Sequence, residues 1–274
     1  MLTARTRVVA AALAVTACKS PDKPVAPPPD PSPEHLRAAS GLGKFLSFLD
    51  GTAYELRTEI LGEFPHDGWI VDAVREGDQE LLQFVYYRRT AAGHERVRRV
   101  VMRPDGPDPP DDNEPAPLTD TQAAMARARD LALAQAFKGR CSARYEAFVL
   151  TAEPYHGRDG WAVYLLPQLE RPHDELVYTG GQALVLVSSD GRTVEQTRPL
   201  STGCHRLPLE LDSLKAIVVS PDQLIDPLPL ETHYYLSARF FLPVFVTVIL
   251  GRHAWSIMPD GRTSRMTGSP KKPR

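Results

Sequence analysis

The predicted fold rests on two similar stretches, YELRTEILGEFPHDGWIV at residues 54–71 and YEAFVLTAEPYHGRDGWAV at residues 145–163. Each begins with a Tyr-Glu pair and continues to an Asp-Gly-Trp string that is followed by a valine. Asp-Gly is a turn signal, and the apolar residues that follow it are typical of a strand. The recurrence predicts two copies of one structural unit. Chance similarity between short strands is the alternative interpretation.

The first predicted unit covers residues 34–103. A helix is expected from Pro33 to Leu49, because Ser32 is a suitable N-cap and apolar residues recur at helical spacing. Alternating apolar and polar residues then predict a strand over Tyr54–Ile60. A meander of three more strands completes the unit: Trp69–Val74, Leu81–Tyr87 and Arg96–Met102.

The second predicted unit covers residues 118–263. Thr119 and Gln122 have the spacing of a capping box, so a helix is expected up to Phe137, with Gly139 as a left-handed C-terminal cap. Asp190-Gly191 is typical of a hairpin turn. Strands are expected over Tyr145–Thr151, Trp161–Leu166, Ala183–Ser188 and Thr193–Pro199.

Further strand signals follow in the C-terminal part: Lys215–Ser220, His233–Arg239, Val244–Leu250 and His253–Met258. One helix followed by antiparallel strands that cannot cover their own apolar face is an α+β arrangement. We therefore predict an α+β protein with two antiparallel-sheet modules, each with one packed helix, plus C-terminal strands. Residues 264–274 are expected to form a disordered basic tail.

The second unit also resembles PepSY-type modules of secreted bacterial proteins. The resemblance rests on the alanine-rich helix, the Gly160-Trp161-Ala162-Val163 strand and the hairpin around Asp190-Gly191. It implies a small α+β module that regulates a protease.

An acidic, proline-rich linker at residues 104–117 separates the two units. Its carboxylates raise the question of a calcium site. In an EF-hand loop, acidic residues alternate and a glycine holds the sixth position. Here the glycine is misplaced and prolines interrupt the acidic residues, so a solvated linker is favoured.

Residues 1–17 have the layout of a secretory signal peptide, with Arg5 and Arg7 ahead of a short apolar stretch. The string Val15-Thr16-Ala17-Cys18 resembles the lipobox of bacterial lipoproteins. That resemblance implies cleavage before Cys18 and acylation of its thiol and new amino terminus. Several acyl chains on one residue would hold a soluble domain at a membrane. An ordinary cleaved signal peptide or an N-terminal helix of the fold are the alternatives.

Residues 18–33 are predicted to comprise the lipidated cysteine and a proline-rich tether. Such a composition favours extended polyproline II, which at ~3.1 Å per residue reaches about 45 Å. A Pro-x-x-P ligand for a partner protein is the alternative. The lipoprotein resemblance further implies the periplasmic side of the outer membrane, since Lys19 rather than aspartate follows the cysteine.

The charge balance excludes some functions. With 32 Lys+Arg against 34 Asp+Glu, the net charge of −2 argues against a dedicated nucleic-acid-binding protein. The hairpin at residues 81–103 is locally cationic, and Arg88, Arg96 and Arg98 are candidates for binding anionic lipid or another anionic partner. An ordinary solvated strand face is the alternative, because acidic residues lie nearby: Glu76, Asp78, Glu80 and Glu95.

Two cysteines remain when Cys18 is assigned to lipidation. A disulfide between Cys141 and Cys204 is expected in an oxidising compartment. The alternative is that Cys204 and His205 act as nucleophile and base, which requires a third residue positioned by the fold.

No spacing of histidines and cysteines typical of a zinc site occurs, and neither a G-x-S-x-G, a P-loop nor a G-x-G-x-x-G motif is found. We predict no metal and no cofactor. The sequence favours a membrane-anchored envelope lipoprotein that acts as a non-catalytic binding or assembly module. The alternatives are a protease-regulating PepSY-like module and an envelope hydrolase, for which His156, Asp159 and His205 are dispersed candidates.

Overall fold

The computed structural model describes residues 31–62, 64–110, 115–168, 176–208, 215–220, 224–226, 228–248 and 253–267. The predicted signal peptide, Cys18 and most of the tether lie outside the described residues. The helices are α1 (Pro33–Glu55), α2 (Asp120–Leu133), α3 (Glu153–His156) and α4 (Glu231–Phe240). The strands are β1 (Gly68–Glu76), β2 (Gln79–Thr90), β3 (Gly93–Arg103), β4 (Gly106–Pro107), β5 (Ala116–Pro117), β6 (Tyr145–Thr151), β7 (Trp161–Pro167), β8 (Leu176–Tyr178), β9 (Ala183–Val187), β10 (Val194–Pro199), β11 (Arg206–Pro208), β12 (Ile217–Val219), β13 (Val244–Val248), β14 (His253–Ile257) and β15 (Thr263–Thr267). The predicted α+β class with C-terminal strands is confirmed.

The first sheet contains the predicted meander, in which β1, β2 and β3 are antiparallel neighbours. The short strands β4 and β5, which belong to the acidic segment at residues 104–117, both pair with β3. Arg103 donates from Nε to Oδ1 of Asp108 at 2.6 Å. The described part of this acidic segment therefore lies against the first sheet, and residues 111–114 lie outside the described residues.

The second sheet is antiparallel and has the strand order β10-β9-β7-β6. Its four strands match the predicted ones closely. At the predicted turn between β9 and β10, Gly191 has a φ of 72°. A Cβ there would lie 2.1 Å from the carbonyl oxygen of Ala124 in α2. The turn and its contact with the helix both require glycine.

The two sheets lie edge to edge, with β1 beside β6. On one face, Ala128 of α2 lies in a buried cluster with Val85 of the first sheet and Val163 of the second. On the other face, the leucines of α1 lie in a cluster with Phe84 and Tyr164, again one from each sheet. Each helix therefore covers both sheets, whereas the sequence pattern predicted one helix for each sheet.

Caps confirm both predicted helix starts. Ser32 Oγ accepts a hydrogen bond from the backbone N–H of His35 at 3.0 Å. Thr119 and Gln122 form the reciprocal capping box, with both hydrogen bonds at 3.2 Å. Helix α2 ends before the predicted residue, so Gly139 is not its cap and lies in the following loop with a φ of 91°.

The predicted strand Tyr54–Ile60 is wrong. Helix α1 includes the first two residues of this stretch and passes into a π-helical turn at Leu56–Ile60. Ala53 and Leu56 extend the apolar stripe of α1 and are buried, whereas Tyr54 is 47% exposed. The apolar alternation in this stretch is thus also compatible with a helix, and packing decides between the two. The Tyr-Glu pairs of the two similar stretches end a helix in one case and open a strand in the other.

The C-terminal sheet has the order β12-β13-β14-β15. Strands β12 and β13 are parallel, and a parallel pair needs a crossover connection, usually a helix. Helix α4 lies in that connection, so the predicted strand His233–Arg239 is wrong. Helix α4 crosses α1 at Gly43, where a Cβ would lie 2.4 Å from the carbonyl oxygen of Glu231.

The predicted disordered tail is wrong for its first residues, because Ser264 to Thr267 belong to β15 and pair with β14. The turn before β15 contains Gly261, whose φ is 89°. Residues 268–274 lie outside the described residues.

Candidate functional site

A cavity of about 640 Å³ lies between the C-terminal turns of α1, helix α4, one end of the second sheet and strand β8. Its volume is within the ~300–1,000 Å³ range of small-molecule sites. Its apolar lining residues come from five different elements: Ala53, Trp69, Leu166, Val177, Leu236 and Phe240. Both segments that were predicted as strands contribute helical residues to the cavity wall, among them Arg57 and Leu236.

One row of residues across the second sheet forms a partly polar wall of the cavity. Glu146 of β6 is opposite Leu166 of β7, and Gln182 directly precedes β9 beside β7. All three line the cavity, together with Arg144 and Gln168 from the same end of the sheet. Side chains two residues apart on a strand share a face, which is why Arg144 and Glu146 both point to this side.

Glu146 is held by two donors. Arg129 Nη2 donates to Glu146 Oε1 at 2.6 Å, and Gln168 Nε2 donates to Oε2 at 2.8 Å. Burial works against a charged guanidinium at Arg129, but Glu146 and Tyr87 outweigh burial and raise the pKa of Arg129. The guanidinium lies beside Gly68 at the boundary of the two sheets, where a Cβ would be 2.6 Å from Nη1.

A second carboxylate of the cavity, Asp50, is also held by two donors. Arg239 donates from Nε to Asp50 Oδ2 at 2.6 Å, and the Tyr235 hydroxyl donates to the same oxygen at 2.9 Å. Burial, together with the negative charge of Asp50, raises the pKa of Tyr235 well above its ordinary value. These contacts join α1 to α4 and leave Asp50 poorly suited to act as a base.

Arg57 and Arg144, which also line the cavity, differ from Arg129 and Arg239 in their pairing. Within the described ranges, the side chains of Arg57 and Arg144 form no ion pair and no hydrogen bond, and both are exposed. Because the two carboxylates of the cavity are already paired with Arg129 and Arg239, the positive charge of Arg57 and Arg144 is not balanced locally.

A smaller hollow of about 460 Å³ adjoins the cavity, since Arg57 and Gly62 line both. Phe64 and His66 line this hollow, and their stacked rings have centres 4.7 Å apart. The hydroxyl of the neighbouring Tyr86 is buried and has no hydrogen-bond partner in the part of the chain that the structure describes.

The structure separates the three arginines that we predicted as anion-binding residues. Arg98 lies at the smaller hollow, with its guanidinium 4.7 Å from the centre of the Phe64 ring. Arg88 forms an ion pair with Glu95 across the hairpin. Arg96 of β3 lies opposite Tyr87 of β2 and Ala116 of β5, and it lines neither the cavity nor the smaller hollow. Arg98 alone among the three is placed near the cavity.

The three dispersed hydrolase candidates are not brought together. His156 follows β6 near Trp161, at one end of the second sheet, and its Nε2 is 3.3 Å from the Tyr164 hydroxyl. His205 lies at the opposite end, where its carbonyl oxygen accepts a hydrogen bond from Thr179. A strand of this length spans about 20 Å. Asp159 is exposed in the loop before β7.

The predicted disulfide between Cys141 and Cys204 is confirmed, with a Cα–Cα distance of 5.9 Å. It joins the loop after α2 to the segment before β11, which pairs with the cavity strand β8. Gly181 packs against it, since a Cβ there would lie 2.2 Å from Cys141 Sγ. The alternative interpretation required Cys204 as a nucleophile, but its sulfur is bonded to that of Cys141.

Sequence reasoning missed the cavity residues Glu146 and Gln182, and the buried Arg129 that pairs with Glu146. One signal was present: Glu146 is the one charged residue of the predicted strand Tyr145–Thr151, and a glutamate buried in such a strand requires a partner. The described residues contain no group of three or more potential metal ligands. Among the helices of the described ranges, none is both long enough and apolar enough to cross a membrane.

Comparison with known proteins gave no match: no family model, no curated protein and no solved structure is similar enough to this chain.

Proposed function

We propose that this protein is a lipid-anchored envelope lipoprotein that binds a small ligand in the cavity and does not transform it. The cavity carries the proposal, because it combines apolar walls with a few convergent polar groups, which is the usual composition of a ligand site. The lipobox-like string ending at Cys18 and the proline-rich tether support an anchored position on the periplasmic side of the outer membrane.

The state of the polar groups supports binding rather than catalysis. A general base must be free to reach a substrate proton, but Glu146 and Asp50 each accept hydrogen bonds from two side chains. The positions of His156 and His205 at opposite ends of the second sheet give a hydrolase no support.

Native mass spectrometry of the protein isolated from its own membranes tests binding. We expect a non-covalent adduct on the wild-type chain and a lower occupancy in Thr58→Trp, because Thr58 is an exposed helical residue on the cavity wall. Thr121→Trp is the matched control, since Thr121 is exposed on α2 and does not line the cavity. Equal occupancy in both folded variants would contradict the proposal, as would a wild-type chain without an adduct.

The anchor is tested separately by mass spectrometry of the mature amino terminus. We expect an acylated cysteine at position 18, release of Cys18→Ser from the membrane fraction, and a shift of Lys19→Asp from the outer to the inner membrane. An unmodified thiol at position 18 would contradict the anchor and leave the cavity proposal standing.

A further inference from the structure

Resting on this proposed binding function, we infer that the cavity takes a single-chain amphiphile with a negatively charged head group. Three observations carry the inference: apolar walls, two arginines whose charge is not balanced, and one side-chain amide that lines the cavity. Each of them restricts the chemistry of the occupant in a different way.

The apolar part of the occupant follows from the wall. Trp69, Leu166, Leu236 and Phe240 present hydrocarbon and aromatic surface to the cavity. Burial of an alkyl chain against such surface is favourable in proportion to the area removed from water. A volume of about 640 Å³ is in the range of one drug-sized molecule, which favours one chain over a two-chain phospholipid.

The charge of the head group follows from the arginines. Within the described ranges, neither Arg57 nor Arg144 has a carboxylate partner, whereas the acidic lining residues Glu146 and Asp50 already have theirs. A guanidinium binds a carboxylate or a phosphate through two parallel hydrogen bonds. An anionic head group next to Arg57 and Arg144 would balance the local charge.

The amide of Gln182 indicates that the polar end of the occupant reaches into the cavity. Gln182 is 4% exposed, lines the cavity, and within the described part of the chain only its backbone carbonyl, not its side chain, forms a hydrogen bond. An amide has two donors and an acceptor, and those of Gln182 are open to an occupant of the cavity. A carboxylate or ester oxygen of the head group would satisfy the amide, whereas a plain hydrocarbon would not.

The inference is tested by calorimetric titration of the full chain carrying Cys18→Ser, which removes the acylation site. The probes are decanoate below its critical micelle concentration and decan-1-ol below its solubility limit, because both have ten carbons and they differ in the head group. We expect decanoate to bind about tenfold more tightly. Lysophosphatidylglycerol and lysophosphatidylcholine then show whether the acidic head is a carboxylate or a lipid phosphate.

Variants assign the effect to residues. Arg57→Gln with Arg144→Gln should abolish the preference for decanoate while decan-1-ol binds as before. The matched control replaces Arg37 and Arg75, two exposed arginines that do not line the cavity, and should keep the preference. Gln182→Leu should weaken decanoate binding severalfold without lowering the melting temperature, which a merely structural role would lower.

The outcomes separate the two proposals. Equal affinity for decanoate and decan-1-ol would overturn the anionic head group, and inorganic phosphate binding as tightly as decanoate would overturn the apolar chain. Absence of binding to all four amphiphiles, with a native adduct still present on the wild-type chain, would overturn this inference and leave the binding function intact. Absence of both would overturn both proposals.

Discussion

The two Asp-Gly-Trp strings open strands of different sheets, and their tryptophans face opposite sides of the molecule. Trp69 of β1 lies in the cluster that α1 covers and lines the cavity. Trp161 of β7 lies in the cluster that α2 covers. The same three residues therefore specify where a strand starts but not which face it presents. The face is set by the register with neighbouring strands and by the helix that packs there.

The two glycines of these strings are also required for different reasons. Gly160 has a φ of 104°, and a Cβ there would lie 2.4 Å from the backbone oxygen of Val187. Gly68 lacks a positive φ, and the atoms nearest to its missing Cβ are side-chain atoms of Arg129 and Tyr87, both at 2.6 Å. One glycine satisfies a backbone constraint, and the other makes room for a buried ion pair.

The largest expected effect concerns that ion pair. Arg129→Met leaves Glu146 buried without its charge partner, which typically costs about 4 kcal/mol of the free energy of unfolding. Urea unfolding at neutral pH measures it. The double variant Arg129→Met with Glu146→Leu should recover most of the loss, because no unpaired charge remains. A double variant as unstable as the single one would show that packing at Gly68, not charge, is what Arg129 provides.

The next largest effect is the loss of stability when each glycine of the two strings is replaced by alanine. Gly160→Ala should cost about 3 kcal/mol, since the new side chain meets both a positive φ and a fixed carbonyl. Gly68→Ala should cost about 2 kcal/mol, because the new methyl group must displace the buried ends of two side chains rather than a fixed carbonyl. Urea unfolding of both variants gives the order. A larger loss for Gly68→Ala would show that Arg129 and Tyr87 cannot move aside at the boundary between the sheets.

Local signals explain which elements the sequence could predict. The Thr119–Gln122 capping box, the Asp190-Gly191 turn and the strands β6 and β7 depend on neighbouring residues, and all are present. The disulfide was predictable because Cys141 and Cys204 were the two cysteines left to pair.

The incorrect predictions have a common cause: packing between elements, rather than the local pattern, decides the secondary structure there. Residues 54–60 alternate like a strand but form a helical end, because Ala53 and Leu56 pack into the core from α1. Residues 233–239 form a helix because the parallel pair β12–β13 requires a crossover. The cavity combines both regions, and its charge pattern depends on contacts such as Arg239 with Asp50 between elements distant in sequence. No local pattern contains that information.

The two tryptophans are expected to differ in what their substitution changes, which is stability for Trp161 and ligand occupancy for Trp69. Trp161 donates from Nε1 to the carbonyl oxygen of Ser189 at 3.0 Å, so Trp161→Phe should cost about 1.5 kcal/mol of stability and leave ligand occupancy unchanged. Trp69→Phe should cost about 1 kcal/mol or less, while altering occupancy because Trp69 lines the cavity. Urea unfolding and native mass spectrometry of both variants measure the two quantities. A change of ligand occupancy in Trp161→Phe but not in Trp69→Phe would contradict the placement of Trp69 at the cavity.

The smallest effect concerns the histidines that precede the two strings, His66 and His156. Burial lowers the pKa of His156 below its ordinary value of 6.5, and Arg198 and Arg158 act in the same direction against Glu231. The folded chain then binds this proton more weakly than the unfolded chain does. The resulting stability is complete above about pH 6.5 and is lost as the pH falls through the lower folded pKa.

His156→Gln should therefore lose less stability than the wild type between pH 7 and pH 5, by less than about 1 kcal/mol because the ring is partly exposed. Urea midpoints at the two pH values measure the difference. Burial also lowers the pKa of His233, to about 4, but His233 is present in both proteins and its contribution cancels. His66→Gln controls for removing an imidazole beside the other string. Equal losses of stability in the wild type and in His156→Gln would mean that His156 contributes through its contact with Tyr164 and not through exclusion of a proton.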